Sequence, residues 1–361
     1  MTHRFLLASA LACLLSACGD EPRDAVPAAP DEVAAEQPPL RAEAEASGEA
    51  SEPDARVVAV SDVLGTFEGT VSGLAFWEHP TLSFASAVIA TNGEAGLAVI
   101  PVDREVEGSV TEGTFGGPVA VGYTQEVSYV AAASGTQVAL FTVGDDRTLT
   151  RVGSVEAEAG ALCMVGDALL VVSREATVYR VTPEGTAETL ATLPASPEAG
   201  CAATAERFYL SEPDGPLRSF APDGGRELVD DAYAGVPAEA LTAVSTPSGP
   251  ALLYLVRGEL VVDGPGLAHA PVTVTQDGAP LPAPGVMAAG SGNFGSLYRD
   301  GAVAMISDGE LVLLPWAGIA RAAGLGEAEA VSLRPREAVT QAPTLQIELP
   351  EIEAAAPPAQ E

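Results

Sequence analysis

Tyr129-Val130-Ala131-Ala132-Ala133-Ser134-Gly135-Thr136-Gln137-Val138-Ala139-Leu140-Phe141 is two apolar runs separated by a short polar turn. Runs of this length and composition, broken by Gly and Ser, read as a β-hairpin rather than a helix. The same unit recurs along the chain. Its first run returns as Val88-Ile89-Ala90, Leu170-Val171-Val172, Tyr209-Leu210-Ser211, Leu252-Leu253-Tyr254 and Ala302-Val303-Ala304. The second run returns in most units, as Leu97-Ala98-Val99-Ile100, Thr177-Val178-Tyr179-Arg180-Val181, Glu259-Leu260-Val261-Val262 and Glu310-Leu311-Val312-Leu313-Leu314. Centred at 89, 130, 171, 210, 253 and 303, the first runs step by 41, 41, 39, 43 and 50 residues. Turn chemistry such as Pro183-Glu184-Gly185 and Pro222-Asp223-Gly224 closes units between them.

Six hairpin-bearing units at a near-constant period predict an all-β, six-bladed β-propeller. Each four-stranded blade hides its faces only against its neighbours, so the ring has to close. A β-sandwich does not explain the period. Two further strand-like segments, Arg56 to Val60 and Leu345 to Leu349, are candidates for the strand that completes the first or last blade.

Outside the repeats the chain is of another kind. Phe5 to Leu15 is an apolar run after a short n-region, the length of a signal peptide and too short for a permanent bilayer span. It ends in Leu15-Ser16-Ala17-Cys18, which resembles a bacterial lipobox. That resemblance implies cleavage before Cys18 and lipidation of its thiol. Gly19 follows rather than Asp, which by the same resemblance implies the outer membrane of a Gram-negative cell envelope. Residues 18–55 and 351–361 are Ala, Glu, Pro and Asp with little to bury, and are expected to stay disordered. The expected organisation is signal peptide 1–17, lipidated Cys and tether 18–55, propeller 56–350, and tail 351–361.

The net charge is −33, and all 17 basic residues are Arg; the chain has no Lys. Such a chain repels nucleic acid, which is excluded as an expected partner. Membrane contact is expected through the lipid at Cys18, and the propeller is expected to be a monomer. Cys163 and Cys201 remain after processing, in a compartment that permits disulfides; they pair or stay as two buried thiols, and spacing does not decide it. His79 and His269 stand alone, which favours structural roles over a zinc site. Asp145-Asp146 and Asp230-Asp231 fall at expected turns.

Four stretches, in order, resemble the β-propeller phytases: Ala90-Thr91-Asn92-Gly93-Glu94-Ala95-Gly96-Leu97, Ala131-Ala132-Ala133-Ser134, Gly200-Cys201-Ala202-Ala203 with Phe208-Tyr209-Leu210-Ser211-Glu212, and Leu314-Pro315-Trp316-Ala317-Gly318-Ile319-Ala320. The resemblance covers roughly residues 76 to 325. It implies six blades, a short helix after Trp316, and calcium-dependent hydrolysis of inositol phosphates. Such chemistry needs carboxylates to hold calcium and cations to clamp phosphate oxygens. By position in the motifs, Glu212, Glu239 and Asp308 are the implied calcium ligands, and Tyr123 matches a family Tyr. Trp77 and Trp316 match family positions and are expected in the core.

The departures are specific. The family's paired acids before its first Trp are here Ser72-Gly73-Leu74-Ala75. Its lysine pair is Gly93-Glu94. Its Asn, Asp and Arg on the second inner strand are replaced within Pro118-Val119-Ala120-Val121-Gly122-Tyr123. A site so depleted implies activity that is weak, altered or lost. No catalytic residue is assigned. The ligand implied is a phosphorylated small molecule; the alternative is a non-catalytic propeller that binds or scaffolds an envelope protein.

Overall fold

The computed structural model describes residues 56–335, apart from 125–126, 166–167, 183–185, 194–199, 205–206, 212–216, 222–226, 229–237, 283 and 327. The lipobox with Cys18, the tether, the 351–361 tail and the Leu345–Leu349 run lie outside the described residues, as do Glu212 and Asp230-Asp231.

The repeat is a blade of four antiparallel strands, and there are six blades. From the centre outward, blade 1 is Gly73–Trp77, Ala87–Thr91, Leu97–Pro101 and Ser109–Thr111. Blade 2 is Val119–Tyr123, Ser128–Ser134, Gln137–Val143 and Leu149–Glu156. Blade 3 is Ala159–Val165, Ala168–Ser173, Thr177–Val181 and Ala187–Thr192. Blade 4 is Cys201–Ala203, Phe208–Ser211, Leu217–Phe220 and Glu227–Leu228. Blade 5 is Ala240–Thr246, Gly249–Val256, Glu259–Gly264 and Leu267–Gln276. Blade 6 is Val286–Gly290, Ala302–Ser307, Glu310–Pro315 and, from the other end of the chain, Asp62–Thr66.

That last pairing closes the ring, and it corrects the sequence expectation. Arg56 to Val60 was a candidate to complete blade 6 or blade 1. Instead Val57–Ala59 joins blade 5 as an extra strand, parallel to Leu267–Gln276. The closing strand starts three residues later, with Asp62 opposite Leu313 and Val63 opposite Val312.

Period-2 alternation explains why the ring is stable. In the second strand of blade 1, Val88 and Ala90 face blade 6 while Ile89 faces blade 2. Every blade divides its side chains in this way. Among the described residues the buried apolar side chains form six clusters, one in each seam between neighbouring blades. A one-residue slip would exchange the two faces of a strand, so burial on both sides fixes the register.

Trp77 and Trp316 are buried as expected, in the 1/2 and 5/6 seams. Trp316 opens the short helix Trp316–Ala323, which Gly324 ends in a left-handed conformation with its N–H on the Ala320 and Arg321 carbonyls. Among the described residues no helix is long and apolar enough to cross a membrane.

Cys163 and Cys201 are joined in a disulfide, with Cα atoms 5.6 Å apart. It ties the inner strand of blade 3 to that of blade 4. The pairing that spacing left open follows from the fold, which sets these two inner strands side by side.

Candidate functional site

The six inner strands surround a central channel. Their first residues lie at one end and their last at the other. Gly73, Pro118, Gly160, Gly200, Glu239 and Gly285 ring the first end around a cavity of about 180 Å³. The inner strands approach closely there: a Cβ on Gly73 would stand 2.8 Å from the Val119 nitrogen. Deeper in, Leu74, Val119, Leu162, Leu241 and Met287 line both this cavity and a second of about 130 Å³, which reaches Phe76, Glu78 and Tyr123 near the other end. The channel wall is therefore chiefly small and aliphatic side chains.

Glu239 stands at the first end, exposed, just before the inner strand of blade 5. Its Oε1 accepts the Arg257 N–H at 3.1 Å and its Oε2 accepts the Gly258 N–H at 3.0 Å. Arg257 and Gly258 form the hairpin turn of blade 5, and both have positive φ. For Arg257 that backbone is costly, and the carboxylate offsets it by satisfying the two turn amides.

Asp308 serves the equivalent turn of blade 6. Asp308 and Gly309 have φ of 50° and 78°, the left-handed pair that an Asp-Gly hairpin turn requires. Antiparallel order places this turn at the same end of the ring as Glu239. The Glu239 carboxylate is thus engaged by the turn of its own blade, and Asp308 is itself a turn residue. Among the described residues no three His, Cys, Asp or Glu side chains gather around one point. With Glu212 outside the described residues, the described pair does not by itself assemble the ligand set expected for calcium.

The two described histidines make local contacts. His79 is buried, its Nδ1 accepting the N–H groups of Thr81 (3.1 Å) and Leu82 (3.0 Å) and its ring set edge-on to Trp77. His269 lies beside Tyr254 and the buried Asp263: its N–H donates to Asp263 Oδ1, its Nδ1 is 2.7 Å from the Tyr254 hydroxyl, and that hydroxyl donates to Asp263 Oδ2 at 2.5 Å. These bonds sit where the register of blade 5 shifts, between Val262 and Gly264. Asp146 also acts locally, its Oδ1 accepting the Thr148 N–H at 3.0 Å; that bond lowers its carboxyl below the ordinary value.

The other end of the channel holds a group that sequence reading missed. After the helix, residues 328–335 cross this end as a strap that bends at Leu333 and Arg334. The Val331 N–H donates to the Ser245 carbonyl of blade 5 at 2.8 Å. Ser332 Oγ donates to Glu78 Oε2. One guanidinium nitrogen of Arg334 reaches the Glu78 carbonyl at 2.8 Å and Ser128 Oγ at 2.9 Å, and its Cζ lies 5.2 Å from the centre of the Tyr123 ring.

Tyr123 is fixed in turn. Its hydroxyl oxygen accepts the Glu78 N–H at 2.7 Å. Burial pushes its phenol well above the ordinary range. So the Tyr that matched the phytase pattern is here part of the strap's seat.

No family model and no curated protein matches the chain. Among solved structures it is similar to BBS1N in complex with ARL6DN, in a crystal soaked with mercury. The identity is 14% and the TM-score 0.46, over 63% of this chain and 74% of that one. It is also similar to a structural genomics protein of unknown function from Bacteroides thetaiotaomicron VPI-5482, with 13% identity and a TM-score of 0.48, over 71% of this chain and 74% of that one. At such identities nothing about ligand or activity passes from them to this chain.

Proposed function

We propose that the chain is a lipid-anchored envelope propeller that binds a partner and does not hydrolyse phosphate esters. One observation carries this reading: the channel wall is small and aliphatic, and the carboxylate at its mouth, Glu239, has both oxygens on backbone amides of its own blade. Hydrolysis of a polyanion needs several carboxylates for metal and cations for phosphate. Arg334 is held at the strap end, on Tyr123 and Ser128.

Phytase-like hydrolysis with calcium is the second reading. It is favoured by Glu239 and the Asp308 turn lying at the same end of the ring. In either reading Cys18 carries the lipid that holds the chain to the outer membrane.

Phosphate release from calcium phytate, followed across a calcium titration, separates the two. The binding reading expects no calcium-dependent release and no calcium-dependent rise in Tm. Release that disappears in a Glu212→Ala, Glu239→Ala double variant would establish the second reading instead. Replacing Cys18 by Ala is expected to move the protein from the membrane fraction to the soluble one.

A further inference from the structure

Residues 328–335 lie on the propeller as a bound peptide would. Their burial alternates: Ala328, Ala330, Ser332 and Arg334 turn inward, while Glu329, Val331, Leu333 and Pro335 are exposed. Up to Ser332 that is the period of an extended segment docked on a surface, with every second side chain in contact; the chain then bends at Leu333 and Arg334, where the Arg334 N–H returns to Ser332 Oγ at 3.1 Å. Yet the segment forms no strand ladder.

The two alanines rest on the apolar edge of the 5/6 seam. Ser332 and Arg334 meet polar groups on blades 1 and 2. The receiving groups are more buried than their occupant. Tyr123 and Ser128 are buried, and Glu78 is further tied by the Asn293 N–H to its Oε1 at 3.5 Å. The Arg seat has three parts: a carbonyl, a hydroxyl and an aromatic face. A planar guanidinium satisfies all three at once, whereas an ammonium on a flexible stem fits them less well.

Resting on the binding reading above, we propose that this end of the channel is a docking site for a protein segment with a Ser two residues before an Arg. The chain's own residues 328–335 occupy it in cis, and a partner segment of the same chemistry exchanges into it. Two features suit the strap to exchange. It is held by a handful of hydrogen bonds, and every second one of its residues is exposed. The charge of −33 favours approach of cationic segments.

The test uses the full chain and a fluorescent peptide of residues 328–337, the strap with the two residues that follow it, Ala-Glu-Ala-Val-Ser-Leu-Arg-Pro-Arg-Glu. In the wild-type protein the tethered strap competes at an effective concentration on the order of millimolar. Arg334→Ala removes its main anchor, so the variant is expected to bind the peptide about tenfold tighter or more than wild type. Replacing the first Arg of the peptide by Ala should abolish that gain, and replacing it by Lys should recover only part. Equal weak binding by wild type and by an Arg334→Ala variant with a native melting transition would overturn the proposal.

If Arg334→Ala does not fold, Ser332→Ala decides. It keeps Arg334 and should still gain about twofold to fivefold, from loss of the Ser332 Oγ bonds to Glu78 and to the Arg334 N–H; no gain overturns the proposal. Phosphate release is read separately. A chain that hydrolysed phytate and also bound the peptide would refute the binding reading and leave the docking site standing.

Discussion

The two ends of the channel are built from the same inner strands and are closed to different degrees. At the first end, strand starts rich in glycine leave a cavity, and the Glu239 carboxylate at its mouth is spent on a hairpin turn. At the second, the strap crosses the opening on groups drawn from blades 5, 1 and 2. The difference teaches that position on a propeller does not assign a role. Glu239 and Tyr123 both match a phytase-like pattern, yet one completes a turn and the other seats an arginine.

The contrast can be broken or sharpened by substitution. The largest effect is expected at the root of the strap end. Trp316 is fully buried in the 5/6 seam, and Trp316→Ala should cost about 3–5 kcal/mol in denaturant unfolding. Next comes the disulfide on the channel wall. It closes a separation of 38 residues, so a Cys163→Ala, Cys201→Ala variant should lose about 4 kcal/mol by the chain-entropy estimate. Strap occupancy should be unaffected, because the disulfide lies between blades 3 and 4. Loss of strap protection in that variant would show that the two ends are coupled.

The third effect is one of pH. Tyr123 sits under Arg334 and has its phenol raised by burial. A phenol held neutral in the folded state contributes stability that is complete below its unfolded pKa of about 10. That stability falls as the pH rises beyond it, because the unfolded chain then releases a proton that the folded chain keeps. Stability should therefore drop above about pH 10. Absorbance at 295 nm should show the Tyr123 contribution, by difference with Tyr123→Phe, appearing only with unfolding. The smallest effect belongs to the open end. Glu239→Ala frees two turn amides that water can reach, and should cost about 1 kcal/mol or less.

The propeller was legible because its signal is repetitive and local. Buried strands leave runs such as Leu252-Leu253-Tyr254, and tight turns leave pairs such as Asp308-Gly309. The closing strand was not legible. Asp62–Thr66 is half-buried, contains Gly65, and shifts register between Val63 and Gly65, so its alternation is interrupted. The disulfide follows from which strands become neighbours, which cysteine spacing does not carry.

The strap left the weakest trace. Its inward residues are Ala, Ala, Ser and Arg, and the groups that receive Ser332 and Arg334 lie more than 200 residues earlier in the chain. Of the acids expected to hold calcium, Glu239 and Asp308 were picked out by motif position. The Asp308-Gly309 pair announces its own turn, whereas the duty of Glu239 depends on the backbone at Arg257 and Gly258, which its motif does not encode.

Amide hydrogen exchange at Val331 tests the account most directly. Its N–H is bonded to the Ser245 carbonyl only while the strap lies across the channel. The account predicts clear protection in the wild-type protein and exchange about tenfold faster or more in Arg334→Ala, with the Val130 and Val171 amides in the blades unchanged. Exchange of Val331 at the rate of a free chain in the wild-type protein would contradict it.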